Sequence, residues 1–392
     1  MKTRLFLAVL LIFLVILLVV LSEAVPGLTD LVFRRYGTEK ILSDNQGKIQ
    51  HIVFQIPESK NNYFWSVSLN YFQLILQELD SKAKVTIITD SQRYSERLSE
   101  MIKNEWNIRN PIRMLVIPES EEKLSPWGQD GYVVVKNKGR GITLVAPVSK
   151  RHSTVLKTLS ETYPYMTSVI SDMDFDGGNI VSNDRYVFTG YSLIEENNKL
   201  GLDEQEIIQR LEKMFGKEVI VIGDKNHRAP FAHIDMYLTP IGERTLLLGD
   251  SKLAVYLLLK ADNSSITDSP ILKKQIELNL SEDIFEALER VKDKLESQGF
   301  QVIRVPYLGV TYSTQILHGQ WACFITYNNV LIEEKGNEKV VYLPIYGIES
   351  LDKKAIEIYE SLGFKVKEVE VGLGITKFGG SIRCLSKIIE RN

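Results

Sequence analysis

The chain has 392 residues, and its 47 lysines and arginines nearly balance 50 aspartates and glutamates. A net charge so close to zero gives no electrostatic reason to expect nucleic acid as a partner. Two cysteines, with no H-x-E followed by P-C-x-x-C, exclude the zinc site of base deaminases.

In chain order, Lys2 and Arg4 precede an unbroken apolar run from Leu5 to Leu21, followed by small residues at Ser22 and Ala24. This pattern marks residues 1–24 as a targeting element, either a cleaved signal peptide or a retained single-pass anchor. The rest of the chain is then expected to be exported, secreted or tethered to a membrane only by that segment. Residues 25–49 read as a polar linker and 50–392 as the folded domain.

Within that domain, Ile52 to Ile56 reads as a strand, Tyr63 to Leu79 as a helix and Lys84 to Thr89 as a strand. The pattern recurs as strand Ile142 to Pro147, helix His152 to Tyr163 and strand Tyr165 to Ile170. It returns as helix Ile284 to Gln298, stopped by Gly299, before strand Gln301 to Val305. A last copy has strand Val340 to Pro344, helix Ser350 to Leu362, stop Gly363 and strand Lys365 to Val369. The segments "KLESQGFQVIRVP" and "IYESLGFKVKEVE" echo one another. Hairpin-like stretches such as "NIVSNDRYVFTG" and "MYLTPIGERTLLLGD" argue against a simple doubly wound sheet and for a repeated α/β array closed on itself.

Four stretches place reactive or charged residues beside turn-forming positions: "WGQDG" (Trp127 to Gly131), "FDGGN" (Phe175 to Asn179), "AHID" (Ala232 to Asp235) and "GGSIRC" (Gly379 to Cys384). Each alone has an ordinary reading, since Asp before Gly commonly makes a turn and an isolated Cys packs as a small hydrophobe. In an exported chain, a Cys323–Cys384 disulfide is the plainest reading of the last one. In a strand, His233 and Asp235 would face the same side.

Taken together and in this order, the four stretches resemble the motif set of the guanidino-group-modifying (pentein) enzymes, especially the agmatine deiminases and bacterial peptidylarginine deiminases. "YNNVLI", "VVYLPIYG" and the Asp352 to Ala355 stretch look like that family's last repeat, so the resemblance spans about residue 50 to the end. It implies a five-bladed, pseudo-symmetric α/β propeller around a central site. Carried over, Cys384 would be the nucleophile, His233 the general acid and base, Asp176 the residue orienting the imidazole, and Asp130 and Asp235 the guanidinium-binding carboxylates. Trp127 would line the cation pocket. The resemblance implies no cofactor and no metal. The sequence departs from the family pattern at Gln129, where Arg is common, at Asp176, where Glu is usual, and at Arg383, where agmatine deiminases show His.

These residue types suit the chemistry. A guanidinium is planar and permanently charged, and carboxylates accept its paired N–H groups. Its central carbon needs a strong nucleophile, which a thiolate supplies once a nearby cation and a protonated His favour ionisation. Hydrolysis would release ammonia and leave a ureido product, the substrate being agmatine, an arginine derivative or a peptidyl arginine. With an amine in place of water, the same residues would make an amidinotransferase. A propeller that only binds is the alternative from a different class, and it predicts that the reactive positions drift, whereas all of them carry competent residues here.

Overall fold

The computed structural model describes residues 39–58, 63–118, 120–137, 141–150, 153–261, 282–309 and 324–392, with a few isolated positions between them. The apolar run from Leu5 to Leu21 and Cys323 lie outside the described residues. Among the described residues, no helix is long and apolar enough to cross a membrane.

Five sheets build a mixed α/β fold, and each combines an antiparallel pair with a parallel strand reached through helix. In the first, Val133–Lys136 pairs with Ile142–Ala146, and helix Thr154–Thr162 leads to the parallel strand Met166–Ile170. In the second, Ile180–Ser182 pairs with Tyr186–Gly190, and helices Tyr191–Asn198 and Glu204–Phe215 lead to Glu218–Ile222. The third has Leu238–Pro240 against Thr245–Asp250, helices Ser251–Lys260 and Glu282–Ser297, then Gln301–Leu308. The fourth has Leu331–Lys335, Glu338–Pro344, helix Glu349–Ser361 and Lys365–Val369. The fifth joins distant parts of the chain: Ser386–Arg391 runs antiparallel to Ile49–Gln55, which helix Tyr63–Glu78 connects to Lys84–Thr89.

The two echoing segments occupy equivalent places, each ending a crossover helix and entering the parallel strand. Gly299 and Gly363 take φ of 82° and 83° at these stops, a left-handed conformation that glycine adopts without a Cβ clash. Both expected hairpins form. Helix Gln92–Asn104 goes beyond the expected elements because its sequence is mostly polar, with only a narrow buried stripe of Tyr94, Leu98 and Ile102.

The folded part also begins before residue 50. Lys40–Ile41 pairs with Val133–Lys136, and Ile41 and Ile49 are buried, so the end of the expected linker belongs to the core. Asp44 is held there by a buried arginine, Arg383.

One regularity positions the functional residues. The turn just before the first strand of each antiparallel pair carries Asp130 in the first sheet, Asp176 in the second, His233 and Asp235 in the third, and Cys384 in the fifth. The corresponding turn of the fourth sheet carries Asn329.

Candidate active site

The two glycine pairs exist because the turns approach each other closely. A Cβ on Gly177 would lie 1.9 Å from the Gln129 carbonyl oxygen, and one on Gly178 would lie 2.5 Å from His233 Nδ1. A Cβ on Gly380 would meet the Trp127 ring at 2.6 Å, while Gly379 has φ of 76°. Gly178→Ala is therefore expected to displace the imidazole and lower turnover by roughly 100-fold. An activity assay beside a thermal melt checks this, the melt separating misplacement of the ring from unfolding.

Asp176 accepts a hydrogen bond from the Gly178 N–H at 2.9 Å, which caps its own turn. The same oxygen lies 3.4 Å from His233 Nε2, so an aspartate reaches the imidazole despite being shorter than glutamate. On the other side, His233 Nδ1 lies 4.0 Å from Asp130, and Phe231 flanks the ring at a centroid distance of 5.7 Å. His233 and Asp235 do not sit in a strand, as their spacing suggests; His233 caps the short turn Ile234–Met236. The turn separates their directions, His233 facing Asp130 and Asp176 while Asp235 faces Arg383 and Cys384.

Cys384 is a free, buried thiol. Its sulfur lies 3.7 Å from Asp235 Oδ2 and 3.1 Å from the Asn329 amide nitrogen. Burial pushes the thiol up to about 12, the Asp235 charge adds to this, and the hydrogen bond with His233 pulls the other way. For His233, burial alone would lower the pKa. The hydrogen bonds to Asp176 and Cys384 and the Asp130 charge outweigh it and hold the imidazole well above its ordinary value. The neighbouring carboxylates thus favour the protonated form of the imidazole.

Asp130 is held well above the usual carboxylate range, first by burial and then by the charges of Asp176 and Asp235, against the pull of His233. Asp235 is raised by burial, which Arg383 only partly offsets. Oδ1 of Asp130 and Oδ1 of Asp235 are both buried and have no hydrogen-bond partner among the described residues.

The three departures from the family pattern have structural accounts. Gln129 donates to the Gly177 carbonyl at 3.0 Å, and its own carbonyl accepts from the buried Lys387 ammonium at 3.1 Å. It therefore ties two motif turns together. Arg383 spans Asp235 at 2.5 Å and Asp44 at 2.9 Å, so Asp235 already pairs one guanidinium belonging to the protein. Neither Asp44 nor Asn329 was singled out from the sequence, Asp44 because it falls in an apparently polar linker. The remaining histidine with resolved contacts in the core, His51, bonds Tyr165 and Thr86, and its pKa falls to about 4 through burial. That is a structural role.

A cleft of about 840 Å³ opens above the site, lined by Trp127, Asp130, Asp176 and His233 and rimmed by charges of both signs, including Lys123, Glu195, Lys199 and Arg228. Cys384 and Asp235 lie beneath, 2 % and 0 % exposed. Asp130, Asp176 and His233 each offer a ligand atom within 4.8 Å of the others. A metal there would have to displace the imidazole proton, which both carboxylates favour.

The sequence model of the Porphyromonas-type peptidyl-arginine deiminase family matches residues 48–389. Among solved structures, the chain is similar to an agmatine deiminase of C. jejuni, with 17 % identity, a TM-score of 0.63, and coverage of 90 % of this chain and 96 % of that one. A form of that agmatine deiminase solved with substrate bound is similar at 15 % identity, with a TM-score of 0.62 and coverage of 90 % and 96 %. An agmatine deiminase of Enterococcus faecalis is similar at 14 % identity, with a TM-score of 0.62 and coverage of 90 % and 96 %. At these identities the structural likeness speaks for the shared mixed α/β fold. Comparison with curated proteins finds no match.

Proposed function

Because the chain belongs to the Porphyromonas-type peptidyl-arginine deiminase family, and is thereby a hydrolase acting on C–N bonds, we propose that it deiminates a guanidinium through a covalent intermediate on Cys384. The observation that carries this reading is the pair of buried carboxylate oxygens of Asp130 and Asp235 that accept no hydrogen bond, set around the thiol and the imidazole.

A guanidinium entering between these oxygens brings a cation to them. It also lowers the thiol pKa, since a positive charge now faces the sulfur, and the thiol proton leaves to solvent because His233 already carries one. The thiolate attacks the guanidinium carbon, and the tetrahedral adduct keeps one new C–S bond. His233, already protonated, gives its proton to the departing nitrogen, and ammonia leaves with the C–N bond pair. Neutral His233 then takes a proton from water as its oxygen attacks the thiouronium carbon. Collapse of the second adduct breaks the C–S bond and returns the thiolate, and the adduct's hydroxyl proton passes to solvent with the departing ammonia, leaving the ureido product. Asp176 holds the imidazole through both proton transfers.

The five sheets are read as blades of a closed pseudo-symmetric propeller, a reading supported by the way each contributes one turn to the same region. We further propose an arginine carried on a peptide, or an extended arginine derivative, as substrate. The guanidinium needs only the buried floor, and a cleft of about 840 Å³ leaves ample room above it. The apolar run from Leu5 to Leu21 supports placing the enzyme outside the cytoplasm.

A ureido-product assay on arginine peptides, free arginine and agmatine tests the proposal. Arginine peptides are expected to be turned over with the highest kcat/KM. A preference for agmatine would overturn the substrate assignment, and absence of ureido product from every guanidine would overturn hydrolysis. Amidino transfer to an added amine would identify the alternative acceptor.

A further inference from the structure

Asp44 lies outside the stretch that matches the family, which begins at residue 48, yet it is tied to the floor of the site. Its N–H donates to the Ser182 carbonyl at 2.8 Å, and its Oδ2 accepts from the Ser182 N–H at 2.7 Å. Its other oxygen, Oδ1, accepts from Arg383 Nη2 at 2.9 Å and from Nε at 3.3 Å, and Nη2 also reaches the Ile180 carbonyl at 3.0 Å. Nη1 of this buried guanidinium donates to Asp235 Oδ2 at 2.5 Å. Asp235 Oδ1 accepts no hydrogen bond among the described residues. Arg391, close by, gives its Nη groups to the main-chain carbonyls of Asp44, Gly47 and Ile332 and so competes for neither carboxylate.

We propose that Asp44 is a positioning residue for the reaction, which holds Arg383 to one side so that Asp235 keeps its second oxygen for the substrate guanidinium. The inference rests on Asp235 receiving that guanidinium. A carboxylate paired with an arginine of its own protein is a poor receptor for another guanidinium. The two charges already cancel, and the arginine fork can take both oxygens. Asp44 changes both counts. With carboxylates on either flank of Arg383, the three side chains together keep a negative charge to meet a cation. Nε and Nη2 are spent on Asp44 and Ile180, which leaves Nη1 alone for Asp235. Without the Asp44 charge, Arg383 is free to turn its fork onto Asp235 and close Oδ1 to the substrate. The same loss leaves more of the Arg383 charge acting on the Cys384 sulfur, with which it interacts.

The test compares the full-length protein with folded Asp44→Asn, Asp44→Glu and the double variant Asp44→Asn with Arg383→Met. Asp44→Asn keeps an acceptor for Ser182 but not the charge. It is expected to raise KM for an arginine peptide about tenfold with kcat little changed, and to weaken equilibrium binding alike on a Cys384→Ala background. Asp44→Glu, which keeps the charge, stays within about threefold of the wild type. The double variant has no arginine left to compete for Asp235, so it binds the peptide more tightly than Asp44→Asn alone, a rescue that a merely structural role would not give. The readout free of substrate is the pH dependence of Cys384 alkylation by iodoacetamide. In Asp44→Asn the thiol titration moves downward and alkylation at pH 8 is about threefold faster. An unshifted titration overturns the proposal whether or not a guanidine binds, and so does a double variant that recovers no binding. A shifted titration in a protein that binds no guanidine would sustain the action of Asp44 through Arg383 and sink the functional reading instead.

Discussion

Cys384→Ala is expected to lower ureido-product formation by roughly 10⁴-fold or more while leaving the fold intact. The sulfur is the nucleophile of the proposed reaction, and no other cysteine lies among the described residues of the site. Stability changes little for a specific reason. The thiol is pushed up to about 12, so at neutral pH the buried group is uncharged, and its removal strands no counter-ion. Guanidinium binding should survive because the Asp130 and Asp235 oxygens remain. Product assay, equilibrium binding of an arginine peptide and circular dichroism together check the three statements. Activity that persisted in a folded variant would refute Cys384 as the attacking atom.

Asp130→Asn is expected to change function and stability in opposite directions. Loss of one of two carboxylates facing the guanidinium should lower kcat/KM by roughly 10²- to 10³-fold. The free protein should become more stable by about 1 kcal/mol, because the cost of burying this carboxylate outweighs the attraction of His233. The sign follows from the raised pKa. In the folded state Asp130 binds its proton more tightly than at the ordinary value of 3.8, so its ionisation costs stability as pH rises from there to the folded-state pKa, and the full cost persists above it. The stabilisation in the variant is therefore present at neutral pH and fades as pH falls towards 3.8. For the wild type, KM for a guanidine should rise on acidification before an ordinary aspartate would titrate. Denaturant melts at several pH values and a KM–pH profile test both arms, and a variant less stable at neutral pH would contradict the account.

Repetition made much of this fold legible. Helical and strand periodicities met at glycines that stop helices, and the two echoing segments mark equivalent crossovers in the third and fourth sheets. Helix Tyr191–Asn198 was less visible because it is short and has no side-chain cap, whereas Glu204–Phe215 carries the Asp203 cap, the Gly216 stop and an apolar stripe of Ile207, Leu211 and Phe215 that local pattern can show. The site residues Cys384, His233, Asp176, Asp130 and Asp235 could be named because their four stretches, taken together and in order, resemble a known motif set, while each stretch alone has an ordinary reading. Arg383 and Asp44 could not be paired from sequence, since nothing local to either announces a partner so far along the chain. Asn329 was hidden differently. Its neighbour Asn328 is also buried, donating its amide to Thr239 and to the Leu247 carbonyl, so only the position of the turn within its sheet distinguishes the two.

The pairing of Ser386 with Phe54 gives the protein a built-in delay during its own synthesis. Four of the five sheets draw all their strands from residues that precede Cys384, and the fifth closes only when the strand after it finds Ile49–Gln55. Such a long-range closure is slow relative to local folding. Until it occurs, Cys384 is not fixed beside Asp235 and Asn329, so the candidate site is the last part of the fold to be assembled.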